Sequence, residues 1–163
     1  MRYICRLLLI VLALLSITGC HPYTFNPKGK PTIKSIAIER FQNETAEFTI
    51  SDRMTNFIIE RFIADGTISV MDANNAEAIL VGSLTRYERR PHVYDANDQV
   101  TEYAVYMDFE VALKKPGEDT DIWRERMNQI GVYNVADENE EIGQNRALEL
   151  LVQSIFNKIS KSW

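Results

Sequence analysis

The stretch AILVGSLTRYERRPHVYDANDQVTEYAVYMDFEVALKK, residues 78–115, decides the fold. In its second half the side chains alternate. Tyr103, Val105, Met107, Phe109, Val111 and Leu113 fall on one face, and Glu102, Ala104, Tyr106, Asp108, Glu110 and Ala112 on the other. A period of two is the signature of a strand with one buried face. The first half, Ala78 to Tyr94, has strand character too, and the turn-rich DANDQ between them predicts a hairpin. Pairing Tyr94 with Val100 sets a register in which Tyr87 opposes Met107, Thr85 opposes Phe109 and Val81 opposes Leu113 on the apolar side. Arg86 then opposes Asp108 on the wet side. Pro91 cannot donate to a ladder and marks a bulge or an edge near the tip.

Working outward, KKPGEDTD (114–121) reads as a second turn. IWRERMNQIGVYNV (122–135) reads as a third strand, with Trp123, Met127, Tyr133 and Val135 on one parity. Upstream, the β-branched IKSIAIERF (33–41) predicts a strand that breaks at QNET. Ile50, Met54, Phe57, Ile58 and Phe62 follow at helical spacing, with Thr49 or Ser51 as N-cap and Gly66 just past the end. A short strand fits ISVM (68–71). Downstream, the segment from Asp137 to the C-terminus predicts a second helix. Ile142 opens its apolar face, and Leu148, Leu151, Val152, Ile155 and Ile159 continue it. Asp137, Glu138, Glu140 and Glu141 crowd the start while Lys158 and Lys161 sit at the end, both favourable against the helix dipole. Two helices and a sheet, each with one apolar face, predict an α/β (α+β) two-layer sandwich: two helices on a largely antiparallel sheet of about four strands.

The N-terminus belongs to a different part of the chain's life. Arg2 and Arg6 precede an apolar run, Leu7–Ile17, that is too short for a bilayer span of about 20 residues and suits an export signal. The run ends in ITGC, which resembles the bacterial lipobox. That resemblance implies diacylglycerol transfer to the Cys20 sulfur, cleavage before Cys20 and acylation of the new amino group. The other reading is an ordinary signal with a chance cysteine. Residues 1–19 are thus expected to be a lipoprotein signal peptide, the Pro-rich 20–31 a lipidated tether, and 32–163 a single domain. Acyl chains hold a protein on a membrane without a spanning helix, at about 0.8 kcal/mol per buried CH₂. With His21 rather than aspartate after the cysteine, enterobacterial sorting implies the outer membrane, on its periplasmic side.

Charge and cysteine usage narrow the function. The full chain carries 23 acidic against 18 basic residues, and loss of Arg2 and Arg6 leaves the mature part more acidic still. That argues against a nucleic-acid binder. Cys5 leaves with the signal and Cys20 takes lipid, so packing alone must stabilise the fold. His21 and His92 are the two histidines, and neither has a second ligand at metal spacing. There is no glycine-rich phosphate loop and no nucleophile elbow. The carboxylates gather in turns and at a helix start, as caps or solvated faces do. Neither catalytic nor metal residues, nor a cofactor, are expected, and an enzyme is the poorer reading. The local basic feature is RYERRPH (86–92), with Lys114, Lys115, Arg124 and Arg126 nearby in the predicted sheet. These could meet phosphate groups of an anionic lipid, or simply pair across strands.

The order of these parts carries a resemblance. A lipobox cysteine is followed by YTF, then IKSIAIERFQN, a helix, AEAILVGSLTRYERRP, YDANDQVTEYAVYMDFEVAL, WRER and a C-terminal helix. Over about Cys20 to Trp163 the chain resembles the lipopolysaccharide-assembly lipoprotein family LptE. The resemblance implies a sandwich of two helices on a sheet and a non-enzymatic subunit of the outer-membrane lipopolysaccharide (LPS) translocon. Such a subunit plugs the LptD β-barrel, aids its assembly and binds LPS in transit. It makes Arg86, Arg89, Arg90, Lys114 and Lys115 the candidate LPS or barrel contacts. Relatives carry a basic residue at the hairpin tip, where this chain has Asp95 and Asp98. The alternative is a free-standing periplasmic lipoprotein that binds or carries a small lipid.

Overall fold

The computed structural model describes residues 33–118 and 120–161. The expected signal segment, Cys20 and the tether lie outside the described residues. The elements run β1 (Ser35–Ile38), β2 (Gln42–Asn43), a 3₁₀ turn (Phe48–Ile50), α1 (Ser51–Asp65), β3 (Ser69–Val70), β4 (Ala78–Tyr94), β5 (Val100–Lys114), β6 (Asp121–Asn134) and α2 (Glu140–Lys161).

The sheet has six strands rather than about four, in the order β3-β1-β4-β5-β6, with β2 alongside β4. Its three long strands are antiparallel, as the hairpin pattern predicts. The short strands make it mixed: β1 runs parallel to β3 and β4, and β2 parallel to β4. Segments of two to four residues carry too little period to be separated from their flanking turns. Both helices lie on one face. Met54, Ile58 and Phe62 of α1 and Leu148, Leu151, Val152, Ile155 and Ile159 of α2 meet Val105, Met107, Phe109, Val111 and Leu113 of β5 in a single core. Phe62 and Phe156 join the helices directly, ring on ring at 4.3 Å.

The hairpin register holds from Arg86 to Pro91 and shifts below it. Arg86 opposes Asp108 and Tyr87 opposes Met107, but Leu84, not Thr85, opposes Phe109, and Leu80, not Val81, opposes Leu113. Thr85 sits in a bulge. Leu80 and Leu84 share one parity with each other and not with Tyr87, so a regular strand could bury only one set. One extra residue at Thr85 switches the parity, and Leu80, Leu84 and the half-buried Tyr87 all face the helices. Further irregularities fall between Pro91 and Tyr94, where Pro91 marked one.

The helix ends differ in detail from expectation. No side chain caps α1; the chain enters it through the 3₁₀ turn. Ser51 Oγ instead accepts a hydrogen bond from Asn43 Nδ2 (3.1 Å), and the buried Thr55 Oγ1 accepts from the Phe41 N–H (3.0 Å). Phe57 lies at the rim of the core. Gly66 does end α1, at φ 67° with its N–H donating to Phe62 O, a left-handed residue where a side chain would be strained. Asp137 and Glu138 lie in the turn before α2, and Ile142 and Val135 remain exposed.

Candidate functional site: the two faces of the basic hairpin

The Thr85 bulge decides where each arginine of RYERR goes. Tyr87 and Arg89 fall on the helix side; Arg86, Glu88 and Arg90 fall on the open face that no helix covers. On that face Glu88 is held between Arg86 (2.5 Å) and Arg90 (2.7 Å to Nη2). Those hydrogen bonds, Arg90's first, keep its carboxyl below the ordinary glutamate range. Arg86 also stands 3.7 Å from Asp108, the cross-strand pair expected from sequence. The Arg90 guanidinium lies 5.4 Å over the Tyr106 ring.

The lattice of charges continues across the sheet. Arg124 reaches Glu110 (2.5 Å) and Asp121 (2.7 Å), Asn128 donates to Asp108 (2.8 Å), and Arg126 stands 3.9 Å from Glu110 with its side chain 87% exposed. Each exposed pair contributes little to stability. Together they make a broad polar surface across the three long strands.

Arg89 belongs elsewhere. Its Nη1 lies 3.2 Å from Glu140 Oε2 and 3.4 Å from the Tyr133 hydroxyl, and its guanidinium is 4.7 Å over Tyr103. It borders a polar clasp between the layers. The Tyr87 hydroxyl donates to Glu140, Gln144 Nε2 donates to the Tyr87 oxygen (2.7 Å), Arg53 donates to Gln144 Oε1, and Arg53 pairs with Glu141 at 3.0 Å. Burial, then the Glu140 bond, pushes the Tyr87 pKa well above that of a free tyrosine. Pattern reading missed this clasp, since Arg53 and Gln144 are far apart in sequence. The cue was available: Tyr87 and Gln144 are polar groups on otherwise apolar faces.

Lys114 and Lys115 do not join the arginines. Six residues of strand separate Lys114 from Asp108, about 20 Å. Lys114 lines a polar groove of about 320 Å³ with Glu39, Glu44 and Arg124, and Lys115 lies 3.9 Å from Glu118. At the hairpin tip, the Asp95 carboxylate accepts the N–H groups of Asn97 (2.8 Å) and Gln99 (2.9 Å), which lowers its pKa, while Asp98 takes φ 59°. The acidic tip is therefore turn chemistry. Among the described residues no group of His, Cys, Asp or Glu could hold a metal ion, and no helix is long and apolar enough to cross a membrane.

The lipopolysaccharide-assembly family model, LptE, matches residues 33–159, from just before β1 to the last turn of α2. The chain belongs to the LptE family. No curated protein sequence matches it. Among solved structures, a Xanthomonas campestris protein is similar at TM-score 0.60 and 9% identity, covering 84% of this chain and 90% of that one. A hypothetical protein of Chlamydia trachomatis is similar at TM-score 0.56 and 9% identity, covering 77% and 95%. A minor lipoprotein of Acinetobacter baumannii reaches 0.48 at 15% identity, covering 78% and 92%. At 9% identity the likeness to the first two is one of fold. LptE family membership supplies the general role, lipopolysaccharide assembly.

Proposed function

We propose that the protein is a lipid-anchored, non-enzymatic subunit of the outer-membrane LPS translocon, plugging an LptD-type β-barrel and assisting its assembly. The observation that carries this reading is the open face of the sheet. A plug needs a rigid polar surface against a polar lumen, and Arg86, Glu88, Arg90, Asp108, Glu110, Arg124 and Arg126 supply one on three antiparallel strands. On this reading Cys20 carries the lipid and the mature protein stands on the periplasmic side of the outer membrane. LPS phosphates would be met on the open face by Arg86 and Arg90 and, at its far end, by Lys114 and Lys115; Arg89 serves from the helix side.

The lipid-carrier alternative needs an apolar chamber. The apolar recess between β6 and α2 is a cleft open at the surface rather than an enclosed chamber. Affinity purification of the tagged, full-length lipoprotein from detergent-solubilised outer membranes tests the proposal. Stoichiometric co-purification of an LptD-type barrel is expected; its absence favours the carrier.

A further inference from the structure

β6 is the outer strand of the sheet, and β5 is its only strand neighbour among the described residues. Val135 donates its N–H to Thr101 O (3.0 Å), and the register runs unbroken from there down to Trp123. Antiparallel alternation therefore turns the N–H and C=O groups of the even-numbered β6 residues outward. Two contacts bear this out. Arg146 donates to Val132 O (2.6 Å), and Asn134 N–H donates to Glu138 (2.9 Å). These close the upper end of the edge. Below it, the outward main-chain groups of Arg126, Asn128 and Ile130 have no partner among the described residues.

A stripe of α2 at four-residue spacing runs along this edge. Arg146 caps Val132, Ser154 accepts from Gln129 (3.1 Å) and Lys158 pairs with Glu125 (2.6 Å). The fourth member, Leu150, is apolar and 42% exposed, opposite Ile130 at 46%. Here the seam opens into a cleft of about 530 Å³ floored by Ile130, Val132, Tyr133 and Leu150. Its rim offers no spare cation. Arg146 is held by Glu138 (2.6 Å), and Glu149 by Arg61 (2.7 Å), leaving Glu102 without an ion-pair partner among the described residues. That rim disfavours a phosphorylated lipid and suits an apolar side chain with a basic neighbour.

We propose that the β6 edge from Arg126 to Ile130 and the adjoining cleft take an extended polypeptide segment of the barrel partner by strand addition. Its main chain pairs with the outward groups of β6, a large apolar side chain fills the space between Ile130 and Leu150, and a basic residue meets Glu102. Unpaired edge groups give such a site its affinity, and the adjacent pocket its specificity. This rests on the barrel being the partner.

The experiment places a photo-crosslinking benzoylphenylalanine at Leu150 of the full-length lipoprotein in native outer membranes. The expected product is an adduct with the barrel protein. An adduct with a second copy of this chain or with LPS, or no adduct while the barrel co-purifies, overturns the inference alone. Failure of the unmodified protein to co-purify the barrel overturns the partner assignment and this inference with it. Two variants give a second readout. Ile130→Pro removes one outward N–H without touching the ladder to β5, and Leu150→Glu puts a charge in the cleft. Each should lower barrel recovery about tenfold or more with an unchanged melting temperature. Undiminished recovery in both overturns the site.

Discussion

Gly131 of β6 and Gly143 of α2 meet backbone to backbone. A Cβ on Gly131 would lie 1.7 Å from the Gly143 carbonyl oxygen, and one on Gly143 would lie 2.8 Å from Tyr133 Cδ1. This close approach seats α2 against β6 and brings Glu140 and Gln144 within reach of Tyr87. Gly131→Ala must push the helix away, and its cost should reach or exceed the roughly 1–3 kcal/mol of ordinary overpacking. Gly143→Ala meets the Tyr133 ring at 2.8 Å and the Gly131 oxygen at 3.2 Å, a lesser overlap than 1.7 Å, and gains about 1 kcal/mol of helix propensity, so it should be the milder change. Urea unfolding of both variants checks the order.

Phe109 and Leu151 lie on facing layers of the core, 1% and 0% exposed. Truncating either to alanine should cost about 2–5 kcal/mol in urea unfolding. A loss below about 0.5 kcal/mol at both sites, against that range, would mean that the two faces do not pack together.

The Tyr87 hydroxyl should leave a mark at alkaline pH. Its folded pKa is raised above the ordinary 10.0 by burial and then by the Glu140 bond. The unfolded chain therefore releases this proton first. The stabilisation is whole below about pH 10 and is lost as pH climbs from there towards the folded value. Unfolding midpoints measured at pH 8 and pH 11 should fall less between the two in Tyr87→Phe than in the wild type.

Arg86 and Arg90 lie on the open face while Arg89 lies against Glu140 and Tyr133. Arg86→Ala with Arg90→Ala removes only exposed pairs, so it should change the melting temperature little and weaken barrel recovery and LPS binding. Arg89→Glu places a carboxylate beside Glu140 and should lower the melting temperature. Barrel recovery, LPS binding and detergent sensitivity all unchanged in the double variant would reduce the open-face arginines to a solvated lattice.

Cys20→Ala should abolish incorporation of labelled palmitate and leave an uncleaved precursor. Metabolic labelling followed by electrophoresis reads both. Continued labelling of the variant would exclude this cysteine as the lipid attachment site.

The alternation of β5 and the helical spacing of Met54, Ile58 and Phe62, and of Leu148, Leu151, Val152, Ile155 and Ile159, determined the two layers and the faces that meet. A side chain's direction follows from position along a strand or helix, so such patterns are local and readable. The spacing of Tyr94 and Val100 likewise gave the register as far down as Arg86. Within the site, the sequence paired Arg86 with Asp108 on the wet face and assembled the candidate arginines, but it gave no sign of the contacts of Arg89 with Glu140 and Tyr133.

Tertiary structure decided the rest. Leu80, Leu84 and Tyr87 cannot share a face in a regular strand, and only the demand of the helices above them selects the bulge at Thr85, which lets all three pack inward while Arg86 and Arg90 stay on the open face. The clasp of Tyr87, Glu140, Gln144 and Arg53 forms because Gly131 and Gly143 let α2 approach β6. The open edge of β6 exists because the sheet ends there. Each depends on which elements become neighbours in space, a choice made by burying apolar area across the whole chain and written in no single stretch of it.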